Sequence, residues 1–237
     1  MEAPQCVLIL DFGGQYTQLI ARRVREHGVY SCVLPCSATL ADIRAAQPMG
    51  IIFSGGPASV LDEGAPTVDE GVFSLGVPVL GICYGMQLMA HLLGAPVERG
   101  ARREYGRTEV TMDRVDEGLL SGLKPCSACW MSHTYQVARP PEGFAAIAHT
   151  ADCPVAAMAD DARRLYGVQF HPEVTHTEEG ARLLENFLLG ICGCKGDWSM
   201  EAYADMAVEQ IRDQVGDGTV LLGLSGGVDS AVAAALL

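Results

Sequence analysis

From Gly71 to Val97 the chain carries no Asp, Glu, Lys or Arg, and nothing else in its 237 residues constrains the fold as tightly. An uncharged run of that length suits either a membrane span or a buried core. Gly76, Pro78, Gly81, Gly85 and Gly94 break it into pieces with the lengths of a strand, a turn and a helix, which excludes the membrane reading. Val77 to Leu80 reads as a buried strand and Met86 to Leu93 as the helix after it, with Gly94 as a natural stop.

The same alternation recurs upstream. Cys6 to Leu10, Tyr30 to Leu34 and Gly50 to Phe53 read as strands, and Gln15 to His27 and Leu40 to Ala46 as helices between them. This order predicts an α/β fold with an open, mostly parallel, doubly wound sheet. From Tyr105 to Phe170 the pattern changes to alternating strands, clearest at Glu109 to Met112 and Leu165 to Phe170, so antiparallel strands are expected to extend that sheet. Glu178 to Leu189 closes the region as an amphipathic helix. The expected division is a first domain over 1–192, a linker over 193–199 and a second segment over 200–237. That segment offers a helix from Met200 to Val215, a strand from Thr219 to Leu222, a glycine loop and a helix from Ala231 to Leu237. One strand and two helices cannot bury a core alone, so a truncated second α/β domain is expected.

Lys and Arg number 16 against 29 Asp and Glu, a net charge of −13 that repels phosphate backbones and anionic lipid. Nucleic acid and membrane surfaces are therefore not expected partners, although Arg102-Arg103 could hold a single anionic group. Met1-Glu2-Ala3-Pro4 has no basic segment leading into an apolar stretch, so no signal peptide is expected. The nine cysteines are an odd number and scattered, which favours reduced thiols in a cytoplasm.

Chemistry concentrates in three glycine- or proline-marked turns. Gly81-Ile82-Cys83-Tyr84-Gly85 lies between a buried strand and a helix, and its glycines permit a sharp turn that lifts Cys83 to the helix N-terminus. There the helix dipole and free N–H groups favour a thiolate. Gln169-Phe170-His171-Pro172-Glu173 follows an apolar strand, so His171 could take the thiol proton while Glu173 holds its tautomer. Ser54-Gly55-Gly56-Pro57 ends a third strand, where the N–H groups of Gly56 and Tyr84 could face an oxyanion. Alone, the Cys83 turn is equally a structural one, and the other two motifs read more readily as ordinary turns. Their complementary roles, at strand ends that share one crevice in such a sheet, favour a catalytic site. The turn at Gly56 is expected to be free to rotate its peptide.

Together with Asp11 to Tyr16 and Trp130-Met131-Ser132-His133, these motifs resemble the class I, triad-type glutamine amidotransferases over essentially the whole chain. The resemblance implies that Cys83 attacks the glutamine side-chain amide and that Gln87, Ser132 and His133 contact the bound glutamine. One departure stands out: the family usually continues Ser-His-Gly-Asp, whereas this chain has Thr134 and Tyr135 at the last two positions.

Ser225-Gly226-Gly227-Val228-Asp229-Ser230 has the glycines and hydroxyls of an anion-holding loop but lacks the Lys of a Walker loop. It is similar to the pyrophosphate loop of ATP pyrophosphatases. The combination implies a complete enzyme, a homodimer, that adenylates xanthosine monophosphate with ATP and Mg2+ and aminates it with the released ammonia. Two other readings stand beside this one: a triad amidotransferase with a different acceptor, and a non-catalytic glutamine-binding module. Cys126-x-x-Cys129 and Cys192-x-Cys194 do not match the paired spacing of a zinc ribbon, so no metal site is expected.

Overall fold

The computed structural model describes residues 5–237, so the expectation about Met1-Glu2-Ala3-Pro4 falls outside the described residues. The chain forms strands β1 (Cys6–Asp11), β2 (Tyr30–Pro35), β3 (Gly50–Phe53), β4 (Val79–Ile82), β5 (Val97–Met112), β6 (Cys126–Val137), β7 (Ala145–His149), β8 (Ala157–Asp160) and β9 (Leu165–Val168). Its α-helices are α1 (Thr17–Glu26), α2 (Leu40–Ala45), α3 (Tyr84–Leu92), α4 (Gly180–Glu185), α5 (Met200–Val215) and α6 (Val228–Leu236). The strands make one mixed sheet in the order β2-β1-β3-β4-β9-β8-β7-β5-β6. It is parallel from β2 to β9 and antiparallel from β9 to β6.

Alternation along the strands explains the layering. Val7, Ile9, Ile52, Leu80, Ile82 and Val168 point to one face, where Ile20 and Val24 of α1 and Leu183 and Leu184 of α4 cover them. Leu8, Leu10, Ile51, Phe53 and Val79 point to the other, under Ile43 of α2 and Met86, Leu88 and Met89 of α3. Period-2 side chains buried on both faces are what a parallel sheet sandwiched by helices requires. Among the described residues, no helix is long and apolar enough to cross a membrane.

Three elements depart from the sequence reading. The single helix expected over Glu178 to Leu189 is α4 followed by a π-helical stretch, Asn186–Ile191, in which the N–H of Cys192 donates to the carbonyl of Phe187. That widening turns Cys192 and Cys194 into the core. The chain through Gly196 consequently folds as one unit, and the second runs from Asp197 to Leu237, so the expected linker at 193–199 starts inside the first unit. Within the second unit, Thr219 to Leu222 is not a strand, because no neighbouring strand offers it a ladder. No residue of α5 or α6 is buried.

The turn between β4 and α3 depends on missing side chains. A Cβ on Gly85 would lie 2.5 Å from the carbonyl oxygen of Phe53, and one on Gly81 would lie 2.6 Å from the backbone of Gly85. Gly85→Ala is expected to lower global stability by about 1–3 kcal/mol, the usual range for overpacking a tight interior. Urea unfolding of the two proteins checks this, and unchanged stability would show that the turn has room to relax.

Candidate active site

Four adjacent strand ends meet at one cavity of about 570 Å³. Gly13 and Gly14 follow β1, Gly55 and Gly56 follow β3, Cys83 follows β4 and His171 follows β9, while Ser132 to Tyr135 of β6 form the remaining wall. This is the crevice beyond the carboxyl ends of the strands where open α/β sheets bind ligands.

Cys83 is the N-cap of α3, with φ +52° and ψ −105°, one of three non-glycine residues with positive φ among those described. A side chain held in that region is strained, and the close glycine packing on either side is what enforces it. His171 Nδ1 lies 2.7 Å from Glu173 Oε1, and both residues are buried. The carboxylate fixes Nδ1 as the donor, which leaves Nε2 for the sulfur. Burial opposes charge on His171, but hydrogen bonds and attraction from Cys83 and Glu173 outweigh it and raise its pKa to about 10. The structure thus favours a proton on His171, beside the sulfur of Cys83. Glu173 is itself anchored: Arg23 Nε of α1 donates to its carbonyl at 2.9 Å. The Thr177 hydroxyl donates to the carbonyl of His171 at 2.6 Å, and the ring edge of Tyr16 packs 5.3 Å from the imidazole.

The turn at Ser54 is tied down, contrary to the expected free peptide at Gly56. Ser54 Oγ accepts from the N–H of Phe12 at 3.0 Å and donates to the carbonyl of Gly55 at 2.9 Å. That carbonyl belongs to the same peptide as the N–H of Gly56, so the hydroxyl holds both ends of the peptide in place. A Cβ on Gly56 would sit 2.7 Å from the carbonyl oxygen of Phe12, so only glycine fits.

The residues expected to contact a ligand differ in what they have left to offer. Ser132 lines the cavity, and its carbonyl lies 3.7 Å from Cys83 Sγ. Gln87 also lines it, but its Nε2 donates both to the carbonyl of Tyr135 at 2.6 Å and to Gln169 Oε1 at 3.0 Å. The ring of His133 is engaged at both nitrogens, with Glu104 Oε2 at 3.0 Å and the carbonyl of Tyr135 at 3.1 Å. Burial lowers the pKa of His133, against the pull of Glu104. Glu104, His133 and Cys153 bring a carboxylate, an imidazole and a thiol within 4.8 Å of one another. Thr150 Oγ1 donates to the second oxygen of Glu104 at 2.8 Å, and burial pushes the Cys153 thiol up to about 12, which disfavours the thiolate that a metal would require. Thr134, in place of the family's glycine, has no positive φ and bonds the hydroxyl of Tyr105 at 2.9 Å on the cavity rim.

Cys129 and Cys192 are buried with raised pKa values, whereas Cys126 is exposed. In the second unit, Ser225 Oγ and Ser230 Oγ lie 3.1 Å apart around Gly226 and Gly227, with Gly226 at φ +80° and Gly227 capping α6. Val228 and Asp229 form the first turn of that helix. The sequence reading assigned no role to Ser54, Glu104, Thr177 or Gln169. Gln169 was accessible to it, since it shares strand parity with His171 two residues on.

Residues 8–191 match the family described as "Glutamine amidotransferase class-I". The chain is 56% identical over 233 residues to a GMP synthase [glutamine-hydrolyzing] of Acetivibrio thermocellus, and 54% identical over 231 residues to that of Clostridium perfringens. In both cases 98% of this chain aligns with 45% of the relative, so it spans about half the length of the curated relatives it matches. A solved structure described as a GMP synthase subunit from Thermoplasma acidophilum superposes with a TM-score of 0.73 at 28% identity, covering 87% of this chain and 98% of its own.

Two outcomes are expected from this geometry. Because the folded pKa of His171 lies above its ordinary 6.5, the folded state holds more protons between pH 6.5 and about 10. The associated stability is complete below that window and lost as pH rises through it. Denaturation across this window should show the decline, and Glu173→Gln should flatten it. Ser54→Ala frees the Gly56 peptide, and if that N–H serves as an oxyanion donor the variant should lower the kcat of a reaction at Cys83 by about tenfold or more with little change in KM. Unchanged kcat would show that the peptide is held by its neighbours instead.

Proposed function

This chain belongs to the class-I glutamine amidotransferase family, and we propose that Cys83, His171 and Glu173 hydrolyse the side-chain amide of glutamine. The observation that carries the reading is Cys83 on its strained turn with a buried His171–Glu173 pair beside it, at a cavity large enough for an amino acid. Cys83 Sγ, its proton held by His171, attacks the amide carbon of glutamine. The N–H groups of Gly56 and Tyr84 receive the oxyanion. Collapse breaks the C–N bond, His171 protonates the departing nitrogen, and ammonia leaves a glutamyl thioester on Cys83. Water then adds to the thioester while His171 takes its proton. The C–S bond breaks, glutamate departs and the proton returns to sulfur.

Ser132 and Gln87 bind the substrate at the cavity wall. His133 contributes its backbone there, because its ring is committed to Glu104 and Tyr135. The nine cysteines are all free in the structure, which fits a reducing cytoplasmic setting.

The relatives called GMP synthase support the assignment that the ammonia serves the making of GMP, and we propose xanthosine monophosphate as the acceptor of an ATP-dependent amination in a homodimeric enzyme. The Ser225–Ser230 loop fits a phosphate group, with backbone N–H groups at the start of α6 and two facing hydroxyls. Residues Ser225, Gly226, Gly227, Val228, Asp229 and Ser230 would hold the pyrophosphate of ATP, whose Mg2+ complex supplies the adenylyl group when bound. Ser225 through Asp229 are exposed and Ser230 is half-buried, so this segment provides one wall of a nucleotide site.

Ammonia release from excess glutamine tests the central reading. Cys83→Ala and His171→Ala should each lower kcat by about 10⁴-fold or more, and Glu173→Gln by less. Wild-type turnover in Cys83→Ala would overturn it. Calorimetric titration of the chain with Mg-ATP should detect no binding in the micromolar range, and such binding would show that the loop alone suffices.

A further inference from the structure

Gln169 is fully buried, and its Nε2 lies 3.5 Å from Cys83 Sγ. We infer that Gln169 is a catalytic residue of this site, a fixed amide donor that stabilises the Cys83 thiolate through an N–H···S hydrogen bond. The inference rests on the reading of Cys83 as the nucleophile.

The orientation of the Gln169 amide follows from a backbone atom. The carbonyl of Tyr135 can only accept, so the end of Gln87 that lies 2.6 Å from it must be the NH2. The same nitrogen lies 3.0 Å from Gln169, which must therefore turn its carbonyl toward Gln87. The NH2 of Gln169 is then the end left facing sulfur. Flipping Gln169 would set two donors against each other and point an oxygen lone pair at the thiol. Flipping Gln87 would oppose two carbonyls. The order Tyr135 carbonyl, Gln87, Gln169, Cys83 has one consistent direction, and it ends on a donor.

The sulfur needs that donor. While protonated, it donates to the carbonyl of Ser132 at 3.7 Å. Once the proton passes to His171, the carbonyl dipole faces an anion and repels it. His171 supplies the opposite charge only while its ring is protonated. Gln169 is uncharged and keeps its N–H in place at every step and every pH. The other ionisable groups near the site would be the same with or without Gln169. Glu173 stands behind His171, and Glu104 and His133 form a pair on β5 and β6. Tyr16, Asp62, Tyr84, Tyr105 and Tyr135 reach the cavity from its walls.

The test follows the ionisation of one thiol. The Cys83 peptide is quantified by mass spectrometry after brief alkylation with iodoacetamide over a range of pH. Gln169→Leu removes the donor, and Gln169→Glu keeps the shape and an acceptor for Gln87 while turning an oxygen toward the sulfur. A charge-assisted hydrogen bond of ordinary strength corresponds to about one to two pH units, so the alkylation midpoint should rise by that much in Gln169→Leu. The midpoint should rise further in Gln169→Glu, and kcat for ammonia release should fall by about tenfold or more in both. Circular dichroism establishes that each variant folds, and if Gln169→Leu does not, the isosteric Gln169→Glu decides alone. A wild-type midpoint in the folded variants would overturn the inference while leaving the glutaminase reading intact. A wild-type protein that releases no ammonia, with Cys83 alkylated no faster than the exposed Cys126, would overturn that reading instead.

Discussion

The close passage of Gly85 beneath Phe53 is the contact on which the rest of the site depends. With no Cβ at Gly81 or Gly85, β3, β4 and the first turn of α3 approach closely enough to force Cys83 into a left-handed conformation. The strain at that residue is sustained by the parallel pairing of β3, β4 and β9 and by the buried side chains on both faces. A thiol on an ordinary strand–helix connection would lie along the sheet. Here it is lifted into the cavity with the N-terminus of α3 behind it.

Around that thiol the neighbouring strand ends divide the chemical work. The end of β9 brings His171 and Glu173, and the interactions of the ring with Cys83 and Glu173 outweigh its desolvation and hold it charged. The end of β3 brings a glycine peptide pinned by Ser54, and β6 closes the far side with the carbonyls of Ser132 and Tyr135. Two glutamine amides, Gln87 and Gln169, link that far wall to the sulfur. The site is held in place because Ser54, Gln87 and Thr177 each bond a backbone group whose direction is fixed.

What the sequence revealed was governed by local rules. The charge-free run around Cys83, the glycines bracketing it and the strand-ending His171-Pro172-Glu173 all carry period or turn chemistry within a few residues, so the fold class and the candidate site residues that line one cavity were legible. The rest depended on contacts distant in sequence. Nothing near Ser54 indicates that the N–H of Phe12 will hold its hydroxyl, and nothing near His133 indicates that Glu104 will hold its ring. Thr219 to Leu222 has strand propensity without a ladder partner, and the π-helical stretch at Asn186–Ile191 accompanies the packing of Cys192 against Gly50 of β3, far away in sequence.

The central claim is that glutamine is opened through a covalent bond to Cys83. Acid quenching during turnover of carbon-labelled glutamine, followed by peptide mass spectrometry, tests it most directly. The account predicts a labelled glutamyl group on the peptide containing Cys83 that has lost the amide nitrogen and disappears as substrate is exhausted. Ammonia release with no labelled peptide at any time, or with the label on another residue, would contradict it.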